Sequence, residues 1–120
     1  MILNLTPHPI RLYAEDRLDG IDDLEPGLRL VIEPEDTPAR LTMVSVGILR
    51  TELRDGVPVE TIQYGHAHGL PDPHDGISFV VSLPVALALI PHRSDLLVPY
   101  REVRNASGTV IGCRSLAQPV

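Results

Sequence analysis

Apolar positions along this chain come in short runs, repeatedly broken by Pro, Gly or clustered carboxylates. Residues 2–5 and 10–13 read as short strands separated by Thr6-Pro7-His8-Pro9, and Pro9 biases His8 toward extended geometry. Because a strand pattern starts at the first residues, no leader segment is expected. Residues 15–25 carry six carboxylates and no apolar stripe, which reads as a solvated loop. Pro26-Gly27 is a turn signal, and Leu28-Arg29-Leu30-Val31-Ile32 reads as a strand closed by Glu33-Pro34-Glu35-Asp36.

Residues 39–53 hold no single period; two strand portions joined by a bulge at Gly47 are expected, with a helix as the alternative. Asp55-Gly56 before residues 57–64 is a hairpin signal. Residues 65–76 are rich in Gly, Pro, His and Asp and read as a loop, and residues 77–81 as a strand buried on both faces. Ser82 offers a helix cap, with Pro84 in the first turn, so a short helix is expected over residues 83–90, ending at Pro91. Leu96-Leu97-Val98-Pro99 is a further strand, and residues 102–113 read as a closing hairpin around Asn105-Ala106-Ser107-Gly108. With no repeat and no linker, residues 1–120 form one domain of the α+β class. It is a β-rich, mainly antiparallel, partly closed sheet with one short helix.

Composition refines this. One Phe, three Tyr and no Trp leave the core to Leu, Val and Ile, which favour strands, and twelve Pro with nine Gly imply frequent turns. A net charge of −6 argues against bulk nucleic acid as a partner. Residues 1–60 hold twelve acids and six Arg, against four acids and four Arg in residues 61–120. All ten basic residues are Arg. A GC-rich coding sequence accounts for that, as does a need for guanidinium forks that grip phosphate or carboxylate bidentately. The single Cys113 excludes an internal disulfide, suits a reducing cytoplasm and reads as a buried structural thiol. The longest apolar run, residues 77–90, is too short to span a membrane and contains Pro84.

No catalytic motif of known spacing occurs. His66, His68 and His74 with Asp72 could hold a divalent metal, but their spacing matches no zinc signature, and a polar loop accounts for them. Ser82 lacks the flanking Gly residues of a nucleophile elbow. The late Arg set is the better candidate: Arg93, Arg101, Arg104 and Arg114 fall within 22 residues, accompanied by Tyr100 and Asn105. Arg and Tyr supply donors for phosphate and a flat surface for a base. Arg101 and Arg104 are out of phase on a regular strand, so an irregularity or a subunit interface is needed to bring them together. The expected ligand-binding residues are Tyr64, Leu70, Arg93, Tyr100, Arg101, Arg104 and Asn105, with no cofactor and no metal.

Asn4-Leu5-Thr6-Pro7-His8, Gly69-Leu70-Pro71-Asp72-Pro73, Ile77-Ser78-Phe79-Val80-Val81-Ser82, Asp95-Leu96-Leu97-Val98-Pro99 and Val103-Arg104-Asn105 carry a resemblance, in order along the chain, to a family of small proteins. The segment Gly108-Thr109-Val110-Ile111-Gly112-Cys113-Arg114 completes the set. The chain resembles that family, which is met in phage genomes, prophages and their bacterial hosts. The resemblance implies a one-domain protein and carries no activity over. By type rather than by motif, the chain is similar to the anti-Thoeris and anti-CBASS sponges of phages, which sequester cyclic ADP-ribose or cyclic oligonucleotide signals without cleaving them. The resulting expectation is a cytoplasmic, homo-oligomeric, non-catalytic protein. It would capture a nucleotide-derived immune signal and so counter anti-phage defence. A metal-dependent hydrolase built on the His loop and a small structural or protein-interaction module are the alternatives.

Overall fold

The computed structural model describes the backbone of residues 1–36, 42–88 and 93–120, and their side chains apart from residues 42–47, 63–68 and 88. Eight strands and one helix follow in the order β1 (Ile2–Asn4), β2 (Ile10–Tyr13), β3 (Leu28–Ile32), β4 (Thr42–Arg54), β5 (Val57–His68), β6 (Ser78–Val80), α1 (Leu83–Ala88), β7 (Leu96–Arg104) and β8 (Val110–Ala117). The β-rich α+β expectation holds. Six strands form one sheet in the order β1-β6-β7-β8-β2-β3, while β4 and β5 form a separate ribbon. The large sheet is mixed. Pairs β1–β6, β6–β7 and β2–β8 are parallel, and β2–β3 and β7–β8 are antiparallel.

Its two ends curl toward each other, and a bridge between Asn4 and Pro34 nearly closes it. Asn4 makes that closure possible. Its side chain is fully buried and each of its polar atoms is satisfied. Nδ2 donates to the His8 carbonyl at 2.7 Å and the Ile32 carbonyl at 3.0 Å. Oδ1 accepts from the Thr6 N–H at 2.9 Å and the Thr6 hydroxyl at 2.6 Å. One amide therefore ties β1, the Thr-Pro-His bend and the end of β3.

Alternation along β6 divides the core. Phe79 faces a cluster of Leu5, Val81, Val85, Ala86, Leu96 and Val98 beneath α1. Val80 faces the inside of the curled sheet with Ile10 and Cys113, backed by Leu12, Ile32, Leu97 and Leu116. Phe79, Val80 and Val81 are thus buried, on both faces as expected, while Ile77 and Ser78 are half-buried. The helix begins directly after Ser82, whose carbonyl accepts the Ala86 N–H; residues 89 and 90 of the expected helix lie outside the described residues.

The β4–β5 ribbon is long, and its turn is the expected one. Asp55 and Gly56 take φ values of 50° and 77°, the paired left-handed geometry of a two-residue hairpin turn. Register shifts between Ser45 and Gly47 and between Ile48 and Arg50 bear out an irregular strand around Gly47. The ribbon stands apart from the sheet: the radius of gyration is 17.0 Å, against about 14 Å for a compact domain of this length.

Candidate functional site

Arg17 organises the acidic segment. Only 4% of the residue is exposed, and its guanidinium donates to the carbonyls of Leu18, Pro26, Ile21 and Asp23 at 2.7–3.2 Å. The same group stacks over the Tyr13 ring, whose hydroxyl donates to the Leu24 carbonyl at 2.9 Å. Residues 15–25 therefore form a loop whose carboxylates are exposed, as expected of a solvated segment, wrapped around one buried arginine that the sequence pattern does not announce.

The carboxylates of this loop then meet the late Arg set. Glu15 takes both ends of the Arg101 fork, one at 2.6 Å. Asp19 accepts the Arg104 backbone N–H at 3.1 Å and lies 3.5 Å from the Arg114 guanidinium. Asp22 accepts the Ala106 N–H at 3.0 Å. The hydrogen bond from Arg101 holds Glu15 below the usual carboxylate range, and the Arg104 N–H does the same for Asp19. Acidic and basic halves of the chain thus complete one another at this surface.

Two irregularities in β7 allow it. Arg101 has φ 55°, a left-handed backbone rare for a side-chain-bearing residue, and the register shifts between Val103 and Arg104. Arg101 reaches Glu15 and, at 3.3 Å, the Ser115 hydroxyl. The Arg104 side chain turns instead to Glu102 and the Gly108 carbonyl. Asn105 is a turn residue: its Oδ1 accepts from Ser107 and from the Thr109 N–H.

The remaining candidates lie elsewhere. Arg93 forms a bidentate pair with Asp95, holding that carboxyl below its usual range, and it precedes β7, whose sixth residue is Arg101. Leu70 packs against the cluster beneath α1, and Tyr100 is half-exposed on β7. Tyr64 lies on β5 opposite Ser45, and its side chain is outside the described residues. The same holds for the His66 and His68 side chains, whose backbone belongs to β5 rather than to a loop; His74 is exposed. Among the described residues no group of three or more His, Cys, Asp or Glu is placed to hold a metal ion.

A cleft of about 490 Å³ opens where β3, β2 and β8 meet. Leu12, Leu30 and Leu116 make its apolar floor, with Tyr13 behind them, and Arg29, Arg114 and Ser115 its polar margin. Arg101 reaches this margin through Ser115. Arg114 is anchored to the Glu102 carbonyl at 3.1 Å and to the Arg17 carbonyl. Arg29 is different: among the described residues it has no carboxylate within 4.0 Å, although its charge contributes to lowering the Glu15 pKa. Reading the sequence did not single out Arg29; its only signal is a lone charge inside the apolar run of β3. Comparison with protein-family models, with curated proteins and with solved structures returned no match. No helix among the described residues is long and apolar enough to cross a membrane.

Proposed function

We propose that this chain is a non-catalytic binding protein that holds a small nucleotide-derived anion in the cleft between β3 and β8. Arg29 carries this reading: a guanidinium with no carboxylate partner among the described residues, beside an apolar floor, in a cavity sized like small-molecule sites. A base would rest on Leu12, Leu30 and Leu116, while phosphate would meet Arg29. Phosphate also has the geometry to replace Glu15 on the Arg101 fork, so ligand would compete with the acidic loop for that residue. The setting follows from the likeness to phage-borne proteins. A homo-oligomer in the host cytoplasm would sequester a cyclic ADP-ribose-like or cyclic oligonucleotide signal and so blunt anti-phage defence.

The test is calorimetric titration with cyclic ADP-ribose and a panel of cyclic dinucleotides, followed by denaturation and mass analysis of the released compound. Binding in the micromolar range or tighter, release of intact ligand, and at least about tenfold weakening in Arg29→Ala are expected. Absence of binding across the panel would refute the proposal, and a chemically altered product would replace it with an enzyme.

A further inference from the structure

The β4–β5 ribbon exposes both faces from Ile48 to Ile62 with nothing of the sheet against them. Ile48, Leu49, Leu53, Val57 and Ile62 are 58%, 65%, 71%, 59% and 39% exposed. Ile48, Leu49 and Leu53 lie on β4, where a neighbouring strand would cover them in part, and Val57 and Ile62 lie on β5. A two-stranded ribbon is marginal in water without such cover.

The two outer edges of the ribbon are not equivalent. A two-residue turn is closed by a hydrogen-bonded pair, here Arg54 and Val57, so the next pair, Leu53 and Pro58, points its backbone groups outward. Pro58 has no N–H to offer, which blunts the β5 edge. On β4 the outward positions, Leu53 and Thr51, keep their donors, and among the described residues no other strand pairs with that edge.

The residues along that edge read Leu49-Arg50-Thr51-Glu52-Leu53, a sequence that is its own complement when reversed. In an antiparallel pairing of two β4 strands centred on Thr51, Leu49 faces the second copy's Leu53 and Arg50 faces its Glu52. Both contacts are made twice. The same register sets the outward-facing backbone groups of Thr51 against those of the second copy's Thr51; Leu53 falls opposite Leu49, the extra residue at the register shift between Ile48 and Arg50, so the backbone match is carried by Thr51. Centring on Glu52 would instead oppose Glu52 to Glu52 and Arg50 to Arg54. We propose that this edge is a dimerisation strand. Two copies of the chain join through β4, two-fold about Thr51, into a continuous four-stranded ribbon. This inference rests on the homo-oligomer part of the proposed function and not on its ligand, so loss of the dimer and loss of ligand binding are separate outcomes.

Charge reversal tests it. Sedimentation equilibrium is expected to show a dimer for the unmodified chain and monomers for Arg50→Glu and for Glu52→Arg, each of which places like charges opposite one another. Mixing the two variants is expected to restore a dimer, because position 50 of each copy then again faces the opposite charge at position 52 of the other. Native mass spectrometry identifies it as the mixed species. That recovery cannot come from pairs within one chain, and it shows that both variants are folded. A monomeric unmodified chain, single variants that dimerise undiminished, or a mixture that stays monomeric would overturn the proposal.

Discussion

The guanidinium carbon of Arg17 stands 4.6 Å from the centroid of the Tyr13 ring, and the hydrogen bonds of that guanidinium all go to backbone carbonyls. A buried cation normally answers a carboxylate; this one fixes the path of the chain around it. Arg17→Met keeps the stem and removes the donors, leaving carbonyls of a wrapped loop unpaired. A loss of about 2–4 kcal/mol in urea unfolding is expected. Arg17→Lys should recover only part of it, since one ammonium cannot span the same acceptors. A neutral Arg17→Met would show that the loop holds without its centre.

Asn4 gives a pH signature. Asn4→Ala should cost about 2–4 kcal/mol, because the Thr6 N–H and the His8 and Ile32 carbonyls lose a shared partner. Asn4→Asp is isosteric but has no N–H, and it buries a carboxylate facing two carbonyls. Its folded pKa would be raised, so its stability deficit should be smallest in mild acid and grow as pH rises. Melting temperatures of both variants between about pH 4.5 and 7.5 measure this; parallel curves would contradict it.

How much of this was legible in the sequence depended on whether a residue's partner was near in the chain. The Asp55-Gly56 turn, the Asn105–Gly108 turn, the helix start after Ser82 and the doubly buried β6 all follow from signals within a few residues. The role of residues 15–25 does not. Glu15 meets Arg101 across 86 residues, Asp19 meets the Arg104 N–H across 85, and the acceptors of Arg17 are carbonyls that any sequence would supply. The burial of Asn4 is likewise hidden, because nothing local shows that the sheet curls back over it. The parallel pairings of β1, β6 and β7 are silent for the same reason. Of the late Arg set, Arg101 and Arg114 reach the cleft margin, while Arg29 emerges only once β3 is seen across β2 from β8.

Gly112 marks the tightest backbone approach. A Cβ there would lie 2.5 Å from the Arg11 carbonyl and 2.7 Å from the Tyr13 ring. Since β2 and β8 pair at Leu12 and Cys113, the added methyl would force the two strands apart. Gly112→Ala is expected to destabilise by about 2–4 kcal/mol. Gly56→Ala, with open space around its Cβ, should cost only about 1 kcal/mol from its positive φ. Chemical denaturation of the pair separates crowding from backbone strain, and equal losses would rule crowding out.

Acid should undock the loop before it unfolds the sheet. Glu15, Asp19 and Asp95 are all held below their ordinary pKa by donors from Arg101, Arg104 and Arg93. Carboxyls depressed in the folded state stabilise fully above the ordinary range and lose that contribution as pH falls through it, from about pH 5 downward. Hydrogen exchange at residues 15–25 should quicken in that window while β6 and β7 stay protected. Glu15→Gln should flatten the response, and high salt should weaken it because the Glu15–Arg101 pair is exposed. Loop and sheet losing protection together would contradict the order given.

Closing the sheet through Asn4 also constrains when the chain can fold. The first strand has no partner until β6 and the end of β3 exist, and β6 in turn needs β7. During synthesis the N-terminal segment must therefore wait, unpaired, while most of the polypeptide emerges. Its apolar residues are then exposed to any competing strand, so folding should be slow and governed by chain-distant pairing. Assembly would end, rather than begin, with β1.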